Sequence, residues 1–318
     1  MIKRIADIIR SGKRFLISSH VRLDGDALGS ELALFLALRD LGKDAVIYNQ
    51  DDAPQIYAFL PGLDAVTHTL DAVEGFDAAF LLDCSDFGRV GDEWERIAAM
   101  EKVVNIDHHI SNDFFSDLSL VDVEASSTGE ILYRLMIDMG VAITKDIAIN
   151  LYTAILTDTG SFRYSNTAAS TLAVASDLVL AGVDPRWVAE NVYESRTIDQ
   201  VTLLREALGT LEIHEDIRTG IMSVSRQMMA DTGAMPEHTD GFVDLIRSIG
   251  SITVAVFLQE TSENYYKISF RSKGEVNVER VAASFGGGGH VNASACRIAG
   301  DGETVKKAVL DALQAFLS

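Results

Sequence analysis

At 318 residues the chain is long enough for two domains, because single hydrophobic cores stop growing at about 250–300 residues. Its 47% hydrophobic and 23% charged residues are the composition of an ordinary globular protein, and no apolar run approaches the roughly 20 residues that span a bilayer. A formal net charge of −20, most of it in the first 210 residues, argues against a non-specific grip on long nucleic acid, which depends on neutralising phosphates.

The opening segment, MIKRIADIIRSGKRF, alternates charged and apolar residues at helical spacing and lacks the apolar stretch and small-residue site of a secretory leader. Together with two distant cysteines, Cys84 and Cys296, which imply no disulfide framework, this predicts a cytoplasmic protein without a membrane partner. Short apolar runs at 15–18, 45–48, 78–83 and 102–107 then alternate with helical patterns at 27–41, 126–140, 145–157 and 168–181. Near-continuous apolar strands alternating with helices predict an α/β fold, with a mainly parallel sheet carrying helices on both faces. Residues 186–209 form a more polar helical linker. From 210 the pattern changes to the strands LEIHE, TGIMSV, ITVAVFLQE and YYKISFRS and a closing helix. We therefore expect a first domain over 1–185 and a smaller α+β domain over 210–318, with the active site in the cleft between them.

Polar clusters recur just after these elements. His20, Asp24 and Asp26 follow the first strand, Asp83 ends AAFLLD, and Asp107, His108 and His109 close KVVNID. Asp158 follows the helix that begins near 145. Each group alone has an ordinary explanation: an aspartate after a strand is commonly a helix cap, which suits Asp26, and a histidine pair in a loop can be structural. Their joint placement differs, because loops at the carboxyl ends of parallel strands converge on one crevice. Several carboxylates and imidazoles gathered there repel one another unless cations neutralise them. An oxygen-rich site with some imidazole suits Mn²⁺ or Mg²⁺ better than Zn²⁺, and one bridging carboxylate would allow two metals roughly 3.5–4 Å apart, as in enzymes that cleave phosphate esters.

In this order and spacing, HxxxDGDxxGS, LLDCSD, IDHH and DTGSFRYSN across residues 15–166 resemble the four motifs of the DHH phosphoesterase superfamily. The resemblance implies that His20 and Asp24 hold one divalent cation, that Asp26, His108 and Asp158 hold the other, and that Asp83 bridges them. Leu23 stands where many relatives carry proline, a change that affects loop stiffness only. His109 is then left to contact the phosphate or protonate the leaving oxygen, with Asp107 behind it as a supporting residue. Arg163 could reach a phosphate or pair with a surface carboxylate. The cofactor expectation is two divalent cations, with Mn²⁺ first and Mg²⁺ or Co²⁺ as alternatives.

The run SFGGGGHVNASACRI (284–298) reads by itself as a loop whose bare backbone amides could bind an anion; it is neither a Walker A loop nor a dinucleotide fingerprint. It also resembles the GGGH signature of the DHH-associated C-terminal domain. That resemblance assigns Arg271, Gly287, Gly288, Gly289 and His290 to the far end of the substrate, with Val291 where relatives often carry lysine. The whole-chain pattern is closest to the nanoRNase and pAp-phosphatase branch. It implies a phosphoesterase for very short oligonucleotides or a nucleotide 3′,5′-bisphosphate. Two alternatives stay open: hydrolysis of another small phosphate, such as a linear cyclic-dinucleotide product or pyrophosphate, and a non-catalytic nucleotide sensor. A homodimer is also left open.

Overall fold

The computed structural model describes residues 1–317, with the side chains of His290 and Leu317 outside the described set. The chain divides into two compact units, Met1–Ser195 and Arg196–Ser318. The polar helical stretch is shared between them: one of its helices closes the first unit and the other opens the second.

The first unit runs α1 (Ile2–Ser11), β1 (Arg14–Ser18), α2 (Gly25–Asp40), β2 (Asp44–Tyr48), β3 (Val66–Thr67), β4 (Ala78–Leu82), α3 (Trp94–Ala98), β5 (Val103–Asp107), β6 (Leu118–Val121), α4 (Thr128–Met139), α5 (Lys145–Asp158), α6 (Ala169–Leu180) and α7 (Pro185–Tyr193). Its six strands form one sheet in the order β3-β2-β1-β4-β5-β6, every pairing parallel. The chain leaves β1 towards one edge and β4 towards the other. The carboxyl ends of these two neighbours therefore lie at the topological switch point, where an open parallel sheet presents its crevice.

Side-chain alternation explains why both strands read as unbroken apolar runs. Phe15, Ile17, Phe80 and Leu82 face the main core, while Leu16, Ala79 and Leu81 face a second, smaller one. Helices α2, α4 and α5 cover the first face with Leu28, Leu32, Ile131, Leu135, Leu151 and Ile155. The other face is closed more thinly, by Ile97 of the short α3, Val90 of a 3₁₀ turn and loop residues such as Leu70.

Helix α2 is apolar nearly all round because it is buried nearly all round, from Gly25 to Phe35 without interruption. At Gly29 a Cβ would press on the Asn150 carbonyl and on Ala154 of α5, and at Gly25 it would collide with the Thr157 side chain. These two glycines let α2 lie directly on α5, so the start of α2 meets the end of α5.

The second unit contains α8 (Ile198–Leu208), β7 (Glu212–His214), β8 (Thr219–Val224), α9 (Arg226–Thr232), α10 (Phe242–Ser248), β9 (Val254–Ser262), β10 (Tyr265–Ser272), α11 (Glu279–Ser284), β11 (Gly288–His290), β12 (Ala293–Ala299) and α12 (Gly302–Leu317). Its mixed sheet, in the order β11-β12-β10-β9-β8-β7, is antiparallel except between β8 and β9. Val254, Val256 and Leu258 of β9 pack with Val281, Val305 and Val309 of α11 and α12. Ala255 and Phe257 of the same strand pack with Leu203, Phe242 and Ile246 of α8 and α10. The glycine run expected to be a loop ends as β11, an edge strand on β12.

Candidate metal centre

Each strand end around the switch point delivers a ligand-type side chain. His20 follows β1, and its Nδ1–H donates to the Val21 carbonyl at 2.9 Å. That bond leaves Nε2 as the lone-pair nitrogen of the neutral ring. Nε2 lies 3.3 Å from Asp83 Oδ2 and 3.6 Å from Asp24 Oδ2. Asp24 is the N-cap of α2: its Oδ1 accepts from the amides of Asp26 and Ala27, each at 3.0 Å.

The cap is therefore Asp24 rather than Asp26, which the sequence alone suggested. Asp26 instead reaches the start of α4, accepting from the amides of Thr128 at 2.7 Å and Gly129 at 3.0 Å, and from Ser30 Oγ at 3.1 Å. These amides have no partner within their own helix, and a carboxylate at a helix N-terminus is also favoured by the helix dipole.

Asp83 directly follows β4 with a φ of 54°, in the left-handed region that a non-glycine residue enters at a cost. Its two oxygens face different partners. Oδ2 faces His20, while Oδ1 lies 3.5 Å from His108 Nε2 and accepts from Thr128 Oγ1 at 3.2 Å. His108 Nε2 is in turn 3.7 Å from Asp26 Oδ2 and 3.7 Å from Asp158 Oδ2. Asp158 is the last residue of α5, and Asn166 Nδ2 donates to its Oδ2 at 3.1 Å.

The result is two triads, His20 with Asp24 and Asp83, and Asp26 with His108 and Asp158, each with ligand atoms within 4.8 Å of one another. Asp83 belongs to the first and turns its second oxygen to the other. A third grouping joins Asp83, His108 and His109. Asp107, fully buried, accepts from His109 Nδ1–H at 2.8 Å, so it stands behind His109.

The electrostatics of this cluster are unbalanced without cations. Burial, followed by repulsion from Asp83, Asp158 and Asp24, drives the Asp26 carboxyl well above its ordinary range. Burial likewise lifts Asp158 to about 7, with His108 opposing and Asp83 and Asp24 adding to the rise. Burial would lower His20, but the Asp24 and Asp83 carboxylates outweigh it and raise the imidazole to about 11. Burial would raise Asp83, but His20, His109 and His108 hold it below the usual carboxylate range. Groups that crowd their negative charge and aim oxygens and imidazole nitrogens inward fit divalent cations.

The DHH family, N-terminal domain, matches residues 14–155, and the DHHA1 domain matches residues 222–318. A protein of Thermus thermophilus named bifunctional oligoribonuclease and PAP phosphatase NrnA is 33% identical over all of this chain and 94% of its own length. The chain belongs to the DHH family. Phosphoesterases of this family are metal-dependent. A Bacillus subtilis protein of the same name as the Thermus relative is 27% identical over 89% of this chain and 88% of its own. The crystal structure of an exopolyphosphatase-related protein from Bacteroides fragilis superposes with a TM-score of 0.94 at 28% identity, covering 99% of this chain and 96% of that one.

The remaining expected residues belong to neither triad. Arg163 is exposed in the loop after α5, its Nε donating to the Gly160 carbonyl. Arg271 is the penultimate residue of β10; its Nη1 donates to the Phe270 carbonyl at 3.0 Å and its Nε is 4.0 Å from Asp244 Oδ1. Gly288 and Gly289 lie in β11 and Gly287 just before it, while the His290 side chain is outside the described residues.

Sequence reasoning missed Thr128 and Asn166, which hold Asp83 and Asp158. Thr128 had a signal: Ser127 caps α4 by accepting from the Glu130 amide at 3.1 Å, and S-x-x-E before an apolar run marks a helix start. Glu31, fully buried with burial lifting its carboxyl to about 8, had none, because position 31 looks like any charged residue on a helix.

Proposed function

We propose that this chain is a metal-dependent phosphoesterase that hydrolyses oligoribonucleotides of two to a few residues and the 3′,5′-bisphosphate pAp. The observation that carries this reading is the division of Asp83 between two ligand sets, Oδ2 towards His20 and Oδ1 towards His108. His20, Asp24 and Asp83 hold one divalent cation, and Asp26, His108, Asp158 and Asp83 the other, with Mn²⁺ favoured by the mixed carboxylate and imidazole donors. Bound there, two such cations lower the pKa of water and offset charge on the phosphoryl oxygens. The names of the Thermus and Bacillus relatives, which act on oligoribonucleotides and PAP, support the substrate class.

Water forms the new P–O bond and the bond from phosphorus to the leaving ribose oxygen breaks, its electron pair going to that oxygen. His109 donates to Asp107 through Nδ1, so Nε2 is the nitrogen from which a proton passes to the leaving oxygen. The proton lost by water goes to solvent, from which His109 is recharged. Arg271, Gly287, Gly288, Gly289 and His290 take the other end of the substrate, and Arg163 a phosphate oxygen. The cytoplasmic assignment rests on two cysteines that are free and buried, and a homodimer is part of the same reading.

A timed digestion with Mn²⁺ of end-labelled RNA of two, five and twenty-four nucleotides, beside pAp, tests the proposal. We expect release from the two shorter RNAs and from pAp, little from the longest, and loss of all activity with chelator. Turnover of pyrophosphate or a linear dinucleotide signal alone would replace the substrate assignment. Tight metal binding without turnover of any of these would make the protein a sensor.

A further inference from the structure

Two asparagines next to the centre have no role in the two ligand sets, yet every polar atom of their side chains is used. Asn105 is fully buried in the middle of β5, where a polar side chain costs free energy unless it is hydrogen-bonded. Its Nδ2 donates to the carbonyls of Leu81 and Cys84, each at 3.0 Å, which flank the strained Asp83. Its Oδ1 accepts from Asn112 Nδ2 at 2.8 Å. Asn112 Nδ2 donates again, at 2.6 Å, to Asp107 Oδ2. Asn112 Oδ1 accepts from the Phe114 amide at 2.8 Å, and the Asn112 amide donates to the His109 carbonyl at 3.2 Å.

Asp107 is thus gripped from both sides. Oδ1 accepts from the amides of His108 and His109 and from His109 Nδ1, and Oδ2 accepts from Asn112. A carboxylate held only through Oδ1 could turn about its Cβ–Cγ bond, and the imidazole could then turn with it. With Oδ2 pinned, one acceptor faces Nδ1 and the ring keeps its hydrogen there. We propose that Asn112, anchored by Asn105, is the positioning residue that fixes Asp107 and thereby the orientation of the His109 imidazolium, whose Nε2–H delivers a proton to the leaving oxygen. This rests on the proposed role of His109 in phosphodiester cleavage.

The dependence on leaving group tests it. A dinucleotide expels a ribose oxygen that needs a proton, whereas a nucleotide p-nitrophenyl ester expels nitrophenolate, which does not. With saturating Mn²⁺, Asn112→Ala should lower kcat on the dinucleotide by roughly 10–100-fold, as loss of a group supporting an active-site residue does, with KM nearly unchanged. On the nitrophenyl ester the loss should stay within about 3-fold, and His109→Ala should show the same split more strongly. Equal losses on both substrates, or no loss on either, would overturn the proposal. Ring ¹⁵N spectra read the device without turnover. Wild type should show the His109 Nδ1 proton shifted downfield by its bond to the Asp107 carboxylate and the variant should lose that shift, and an unchanged spectrum would also overturn the proposal. If Asn112→Ala does not fold, the near-isosteric Asn112→Leu removes the same donor without placing a charge beside Asp107 and takes both measurements. A wild-type enzyme that cleaves the nitrophenyl ester but not the dinucleotide would count against the substrate assignment instead, leaving the ¹⁵N result to judge the positioning.

Discussion

The two units hold their candidate functional residues in opposite ways. In the first, Asp24, Asp26, Asp107 and Asp158 are each held by hydrogen bonds from backbone or side chain, and Asp83 is kept in a costly backbone conformation. In the second, among the described residues, Arg271 is secured by its neighbour's carbonyl and a carboxylate 4.0 Å away, and a Cβ added at Gly288 would meet nothing within 4 Å. Cations demand a fixed ligand geometry before any substrate arrives, so that geometry has to be built into the fold. A group that only grips a substrate can be ordered by the substrate, so its place in the free protein is loosely specified.

The contrast predicts unequal losses. Asp83→Asn removes the one carboxylate shared by both ligand sets. Replacing supporting groups around a metal typically costs 10–100-fold, and losing a bridging ligand should exceed that, on the order of 10³-fold or more in kcat. Circular dichroism should remain that of a folded protein. Retained turnover would remove the two-metal reading altogether. Arg271→Ala should act on binding, raising KM by about tenfold, the equivalent of one charge-assisted hydrogen bond of roughly 1.4 kcal/mol, with kcat within a few-fold. If kcat falls and KM does not, the second unit takes part in the chemistry and the division drawn above fails.

Charge also organises the first centre, and this can be measured in chelator. Burial would lower the His109 imidazole, but its bond to Asp107 and the charge of Asp83 raise it from 6.5 to about 9. A raised basic group stabilises the fold fully below its unfolded value, and the contribution disappears as pH climbs through the folded value. The melting temperature of the chelated protein should therefore fall between pH 6.5 and 9, and less steeply in His109→Gln. Parallel pH curves for the two would show that this imidazole is not held by charge.

The clustering of the candidate ligands was legible because each lies at the end of a recognisable element, and parallel strands bring such positions together whatever their separation along the chain. What it could not show is how the ligands are held. The grip of Asp26 on the amides of Thr128 and Gly129 joins residues more than a hundred positions apart and follows from the packing of α2 beside α4, which no local pattern encodes. Asn105 is hidden for the same reason: within the apolar run KVVNID it is an irregularity whose partners belong to other segments. The parallel sheet was readable from apolar alternation, but the strand order that puts β1 beside β4 was not, since periodicity carries no information about neighbours. β11 was missed because three residues containing two glycines have little strand propensity and gain their pairing from β12.

The glycine run sharpens the comparison to single residues, with the smallest expected effects. At Gly287 an added Cβ would collide with the Ala295 carbonyl and lie 2.6 Å from Cys296 Cβ, so the fold itself requires glycine there. At Gly288, one residue on, nothing among the described residues lies within 4 Å of an added Cβ. Gly287→Ala should cost about 1–3 kcal/mol through overpacking against β12, seen as a lower midpoint in urea. Gly288→Ala should leave that midpoint unchanged or slightly raised, because alanine restricts the unfolded chain more than glycine does. If the backbone at 288 is kept bare so that a substrate phosphate can approach its amide, Gly288→Ala should still raise KM for pAp a few-fold. A stable Gly288→Ala enzyme with unaltered KM would mean that this edge does not touch the substrate, and Arg271 would then have to account for binding in the second unit without it.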